Sequence, residues 1–185
     1  MRLFTAIDLV DRARAAIAEE QQRIIAALGD AAGSLRLVRS EHMHLTLVFI
    51  GEVVDARAAA IVEAMARTMP LPPFDLVFGG LGLFPSHGRP RVLWLGVLEG
   101  SPEAIALHAY VARQLTAVGV TVEDRPFRPH LTLARWKDSR GSTRPRLPES
   151  ASAVAKTRVE AVTLYQSRVS SAGPSYTALA HAPLT

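Results

Sequence analysis

Apolar and polar positions change period along the chain, and each change marks an element. Residues 3–7 form an apolar run of strand length. Across 10–28, Ala, Ile and Leu face one way while Arg, Glu and Gln face the other, which predicts a helix closed by Gly29 and Gly33. Residues 34–39 alternate Leu35 and Leu37 with polar neighbours, and 44–50 alternate again up to Gly51, so both are expected to be strands. Asp55 is the expected cap of a second helix reaching Thr68, where Pro70, Pro72 and Pro73 stop it. Residues 74–78 read as a strand that runs out into a loop, GGLGLFPSHGRPR, at a sheet edge.

The second half repeats this rhythm. A strand is expected over 91–98 and a helix over 101–118, with Ser101 as its cap, Pro102 in its first turn and Gly119 at its end. Pro126 and Pro129 lead into a strand at 129–136. Residues 138–152 are rich in Ser, Arg, Pro and Gly and are expected to form a mobile loop. One long or bent strand is expected over 154–169 and a last one over 175–181. Strands mixed with a few long helices, without regular βαβ alternation, define an α+β protein. The expected architecture is two pseudo-symmetric lobes, about 1–90 and 91–185. Each would be an antiparallel sheet with helices on its outer face, and a shared cleft would lie between them within one domain.

The tetrapeptide His-Leu-Thr-Leu stands at 44–47 and again at 130–133. At typical residue frequencies, chance matches among six histidines number well below ~0.1. On a strand, His44 and Thr46 share one face, as do His130 and Thr132, while the leucines pack beneath. Arg135 falls out of that alternation unless the strand bulges or the side chain reaches round the edge. Imidazole both gives and takes protons near neutrality. Two imidazoles facing each other therefore suit acid–base chemistry, with the hydroxyls holding oxygens of the substrate. An in-line displacement at phosphorus needs that arrangement, because attacking and leaving oxygens lie on opposite sides. Zinc is the competing reading. It needs at least one more ligand, and neither His-x-x-x-His nor an acidic partner motif lies near either copy, so no metal or other cofactor is expected.

Composition narrows the setting. With no cysteine, disulfides, thiolate catalysis and cysteine-ligated zinc are excluded. No apolar run approaches the roughly 20 residues that cross a bilayer. Asp8 and Asp11 interrupt the start where an export signal needs an apolar stretch. A cytoplasmic monomer without membrane attachment is the expectation. Net charge is +4, and arginine supplies all but Lys137 and Lys156 of the 21 basic side chains. Guanidinium groups match phosphate oxygens, although an arginine-rich genome would produce the same bias.

The paired motifs resemble the two HxTx motifs of the 2H phosphoesterases. The chain is similar in particular to the bacterial RNA 2',3'-cyclic phosphodiesterases, also called 2'-5' RNA ligases. The likeness extends to MRLFTAIDL, HMHLTLVFIGEV, GGLGLFPSHGRPRVLWLGV, RPFRPHLTLAR and LYQSRVSSAGPSYTAL. Leu37 departs from the family's usual Trp, and Val48 from its usual basic residue. The resemblance implies hydrolysis of RNA 2',3'-cyclic phosphate ends to 2'-phosphomonoesters, with His44 as proton donor and His130 as proton acceptor. It implies that Thr46 and Thr132 hold the phosphate. The identical motifs leave the two histidine roles interchangeable on sequence grounds. Arg128 and Arg135 are candidate phosphate or RNA contacts, and Phe84 and His87 candidate stacking residues at the cleft mouth. Arg140, Arg144 and Arg146 could follow an RNA backbone. His108 and His181 are read as structural or solvent-facing, and Trp94 and Trp136 as core or rim. Ligation of 2'-5' ends and a non-catalytic RNA-binding module are the alternative functions.

Overall fold

A computed structural model describes residues 1–137, 144–150, 152–170 and 173–185. In chain order its elements are β1 (Arg2–Asp8), α1 (Asp11–Leu28), β2 (Leu35–Leu37), β3 (His44–Glu52), α2 (Asp55–Ala64), β4 (Phe74–Phe84) and β5 (Val92–Glu99). There follow α3 (Ser101–Ala117), β6 (His130–Trp136), β7 (Ala155–Val159), β8 (Ala161–Ser170) and β9 (Gly173–Pro183). The strands form two antiparallel sheets, a four-stranded one in the order β3-β1-β8-β9 and a five-stranded one in the order β2-β6-β5-β4-β7. Each sheet draws strands from both sides of residue 90, so the boundary between sheets does not follow the boundary between sequence halves. The sheets approach each other through β3 and β6, the two strands that carry the repeated tetrapeptide.

Helical periodicity places Ala13, Ile17, Gln21, Ile24 and Leu28 of α1 in the interior, and Ala104, Leu107, Val111 and Leu115 of α3. α1 lies against β7, α3 against β3, and α2 against α3 and β9. The helices therefore cover the outer faces and leave the motif-bearing faces free. Leu45, Leu47, Val48, Leu131, Leu133 and Ala134 are all buried beneath the motifs.

Several expectations are corrected. GGLGLF is not a loop at an edge: β4 continues through Gly79, Gly80 and Gly82 to Phe84, and it lies inside its sheet between β5 and β7. Gly82 marks a close approach, because a Cβ there would fall 1.9 Å from the Trp94 indole. The single strand expected over 154–169 is two, broken at Glu160. β7 pairs with β4 in one sheet, and β8 with β1 and β9 in the other. Asp55 lies in the first turn of α2, whose cap is Val54, and the helix ends at Ala64. Ser101 bonds back to the Val97 carbonyl, and the cap of α3 is Gly100. Its φ of 85° and the Asp75 carbonyl, 2.2 Å from where a Cβ would stand, admit only glycine.

Candidate active site

Both motif strands carry the same defect. In β3, Thr5 pairs with Val48 but Ala6 pairs with Thr46, which leaves Leu47 without a partner. In β6, Leu93 pairs with Ala134 but Trp94 pairs with Thr132, which leaves Leu133 without one. Each fourth residue of the tetrapeptide is thus a β-bulge, which shifts the alternation by one residue. The shift puts Arg135 on the exposed face with His130 and Thr132, and Phe49 on that face with His44 and Thr46. Of the two routes considered for Arg135, the strand takes the bulge. A buried polar side chain supports each defect. Thr5 Oγ1 accepts from the Val48 N–H at 3.2 Å, and Gln21 Nε2 of α1 donates to the carbonyls of Leu133 (2.7 Å) and Val38 (2.9 Å).

The four-stranded sheet surrounds His44 with aromatic rings. Phe4 stacks on it at 5.0 Å between centroids, and Tyr176 meets it edge-on at 5.5 Å. Its Nε2 lies 3.0 Å from Thr46 Oγ1, and it also hydrogen-bonds to the backbone of His42. Burial lowers the imidazole to about 4, against the opposing pull of the His42 bond and the Asp8 charge. His130 is built the same way on the other sheet. Its Nδ1–H donates to the Arg128 carbonyl at 2.7 Å, which leaves Nε2 of the neutral ring as an acceptor. Phe84 meets it edge-on at 4.9 Å and Trp94 at 6.2 Å, and burial again lowers its pKa. The Arg135 charge pushes down both imidazoles, so a single guanidinium lies within electrostatic reach of both. The contact between β3 and β6 brings the two motifs close together.

The remaining candidates divide. Phe84 stands against His130, and Arg135 shares the exposed face of β6 with it. Arg128 serves His130 through its carbonyl, while its side chain is exposed. His87 is exposed, with its Nδ1 3.1 Å from Ser86 Oγ. Arg144 donates to the Pro85 carbonyl at 3.0 Å and so ties its segment to the loop after β4. Arg140, with the rest of 138–143 and residue 151 of the loop expected over 138–152, lies outside the described residues. His108 stacks flat on Phe127 at 4.2 Å. Sequence reading missed Phe4, Asp8, Tyr165 and Tyr176. The alternation in FTAID places Phe4, Ala6 and Asp8 on one face of β1, but only strand pairing makes that face the one that carries His44.

The same architecture recurs among solved phosphoesterases. Escherichia coli LigT in its apo form aligns over 100% of this chain and 97% of its own, with TM-score 0.77 and 29% identity. LigT complexed with 3'-AMP aligns over 100% and 98%, with TM-score 0.74 and 30% identity. The two sheets and the paired His-x-Thr strands make this a 2H-type phosphoesterase fold. The RNA 2',3'-cyclic phosphodiesterase of Archaeoglobus fulgidus is 37% identical over 74% of this chain and 73% of its own. That of Thermus thermophilus is 34% identical over 97% and 88%. The chain belongs to the 2'-5' RNA ligase superfamily, whose model matches residues 8–170.

Proposed function

We propose that this protein hydrolyses RNA 2',3'-cyclic phosphate ends to 2'-phosphomonoesters by two-histidine acid–base catalysis without a metal. The observation that carries the reading is the pair of identical, identically bulged His-Leu-Thr-Leu strands, which lie against each other in the fold. His130 is the proton acceptor. Its Nδ1–H is committed to the Arg128 carbonyl, so Nε2 is free to take a proton from water as that oxygen attacks phosphorus. His44 is the proton donor to the 3'-oxygen as the P–O3' bond breaks. One P–O bond forms and one is lost, leaving a 2'-phosphate and a 3'-hydroxyl. Thr46 and Thr132 donate to non-bridging oxygens, and Arg135 offsets the charge that accumulates on them.

An imidazole lowered to about 4 is by itself a poor reservoir of protons near neutrality. The phosphate supplies the correction, because its negative charge raises His44 when it docks beside Thr46. Phe84 offers a face to a base next to His130, and Arg128 and His87 extend the rim toward RNA. The protein acts as a cytoplasmic monomer. Among the described residues no helix is long and apolar enough to cross a membrane. The same acid and base can join 2'-5' ends when a 5'-hydroxyl replaces water as the nucleophile.

The test is product analysis with a nucleoside 2',3'-cyclic phosphate in the presence of EDTA. The expected product is the 2'-monophosphate, and His44→Ala and His130→Ala should each lose ~10²–10⁴-fold in turnover. Wild-type turnover in both variants would overturn the two-histidine mechanism. Failure with EDTA and rescue by a divalent ion would favour zinc. Salt-sensitive RNA binding without conversion at any pH would make the protein a binding module.

A further inference from the structure

On the four-stranded sheet the surface that carries His44 extends well beyond the motif. Ala6 pairs with Thr46 on one side and with Thr163 on the other, and Thr163 in turn pairs with His181. Cross-strand partners share a face, so these four residues form one row from the edge strand to the far strand. Asp8, the partner of His44, begins the next row. Here a pocket of about 450 Å³ opens, lined by Asp8, Thr163, Tyr165 and His181, with residues 178–180 of β9 completing its wall.

The hydrogen bonds fix what this pocket presents. Thr163 Oγ1 and Tyr165 OH both donate to the Asp8 carboxylate, at 2.6 and 2.7 Å. Because the Thr163 proton is committed to Asp8, the His181 Nδ1 at 3.2 Å must donate to the threonine oxygen. In the tautomer that carries its proton on Nδ1, His181 has Nε2 left as an acceptor. Asp8 and Nε2 of His181 are both acceptors, and the carboxylate repels phosphate. The pocket therefore suits a neutral group rich in hydrogen-bond donors.

We propose that this pocket is a base-recognition subsite, which receives the exocyclic amino group of the nucleoside bearing the cyclic phosphate. This rests on the phosphodiesterase reading of the site. With the phosphate between the motifs, Thr163 lies two strand spacings from β3, roughly 10 Å, a distance that the attached ribose and base span. In a 2',3'-cyclic phosphate both ribose oxygens are esterified, so the donors left on the terminal nucleoside of an RNA are on its base. Adenine, cytosine and guanine each carry an amino group. Uracil instead sets a carbonyl on either side of its single N–H, and those carbonyls would face the carboxylate. The half-buried rings of Tyr165 and Tyr176, 6.3 Å apart, stand between His44 and the pocket.

The experiment compares the four nucleoside 2',3'-cyclic monophosphates as substrates. Wild type is expected to show the highest KM for the uridine compound. His181→Ala, a change at an exposed position, should raise KM about fivefold to tenfold for the three amino-bearing substrates. KM for uridine should stay within about twofold and kcat should be little changed. Ala178→Trp, which fills the pocket from another exposed position, should raise KM for all four. Base preference unchanged by His181→Ala, or KM unchanged by Ala178→Trp, overturns the subsite while leaving the phosphodiesterase reading intact. If wild type converts none of the four, that reading fails first. The subsite is then decided by equilibrium titration of wild type and His181→Ala with adenosine and uridine 2'-monophosphates. Weaker adenosine binding in the variant supports it, and equal binding by both proteins overturns it.

Discussion

His44 is packed between the rings of Phe4 and Tyr176, and burial there holds it at about 4, below the usual 6.5 of an imidazole. Burial also lowers His130, and with it His108. Folding thus favours the neutral form of each ring, which ties stability to pH. Between about pH 6.5 and 4 the unfolded chain protonates a histidine that the folded chain keeps neutral. Stability is therefore lost as pH falls through that window. His44→Gln should flatten the decline of the thermal midpoint between pH 6.5 and 4 relative to wild type. Parallel curves for the two proteins would show that His44 is not held neutral by the fold. The identity of the motif residues was legible in the sequence because repetition is a property of sequence. The tautomer of His130 was not, because it depends on the Arg128 carbonyl placed by the segment that leads into β6.

The bulges at Leu47 and Leu133 are the devices that turn a strand of strict alternation into a site. Without the second one, Arg135 would point into the core beneath the five-stranded sheet. Gln21 holds that bulge from α1 by two hydrogen bonds, so the helix that looked like a simple amphipathic cover also sets the position of the guanidinium. Gln21→Leu keeps the volume but leaves the Val38 and Leu133 carbonyls without their side-chain donor. It should cost about 1–3 kcal/mol in denaturant unfolding and lower turnover through Arg135. Unchanged stability would mean that the bulge stands without the glutamine. Periodicity found most strands and all three long helices, because burying one face imposes a period. It failed at GGLGLF, where glycine composition imitates a turn. There Gly82 lies against the Trp94 indole, which leaves a side chain no room, and Gly80 has a φ of 72° that favours glycine.

If the protein acts on RNA as proposed, its exposed arginines and its site meet different parts of the strand. Phosphates beyond the terminal nucleotide would then meet exposed guanidinium groups and release counterions, whereas a cyclic mononucleotide would touch only the cleft. Raising salt from about 50 to 200 mM should therefore raise KM for an oligonucleotide with a cyclic end far more than for a nucleoside 2',3'-cyclic phosphate. Equal salt sensitivity would remove the surface arginines from substrate binding. The chain also weaves its sheets together. After β3 it leaves the four-stranded sheet to build most of the other, and it returns only after Glu160 with β8 and β9. The two motifs therefore meet across a cleft that neither half of the sequence could form alone.

By itself the sequence determined the α+β class, the chemistry-bearing residues and the face each shares with its neighbours. Those follow from composition and from the two-residue period of a strand, which are local. Only the tertiary structure decided which strands adjoin, where the alternation slips and which side chains gather around His44. Asp8, Tyr165, Tyr176 and His181 lie far from it along the chain or on other strands, and pairing across the sheet brings them onto its surface. Strand pairing is set by the packing of the entire core, and no local pattern encodes it.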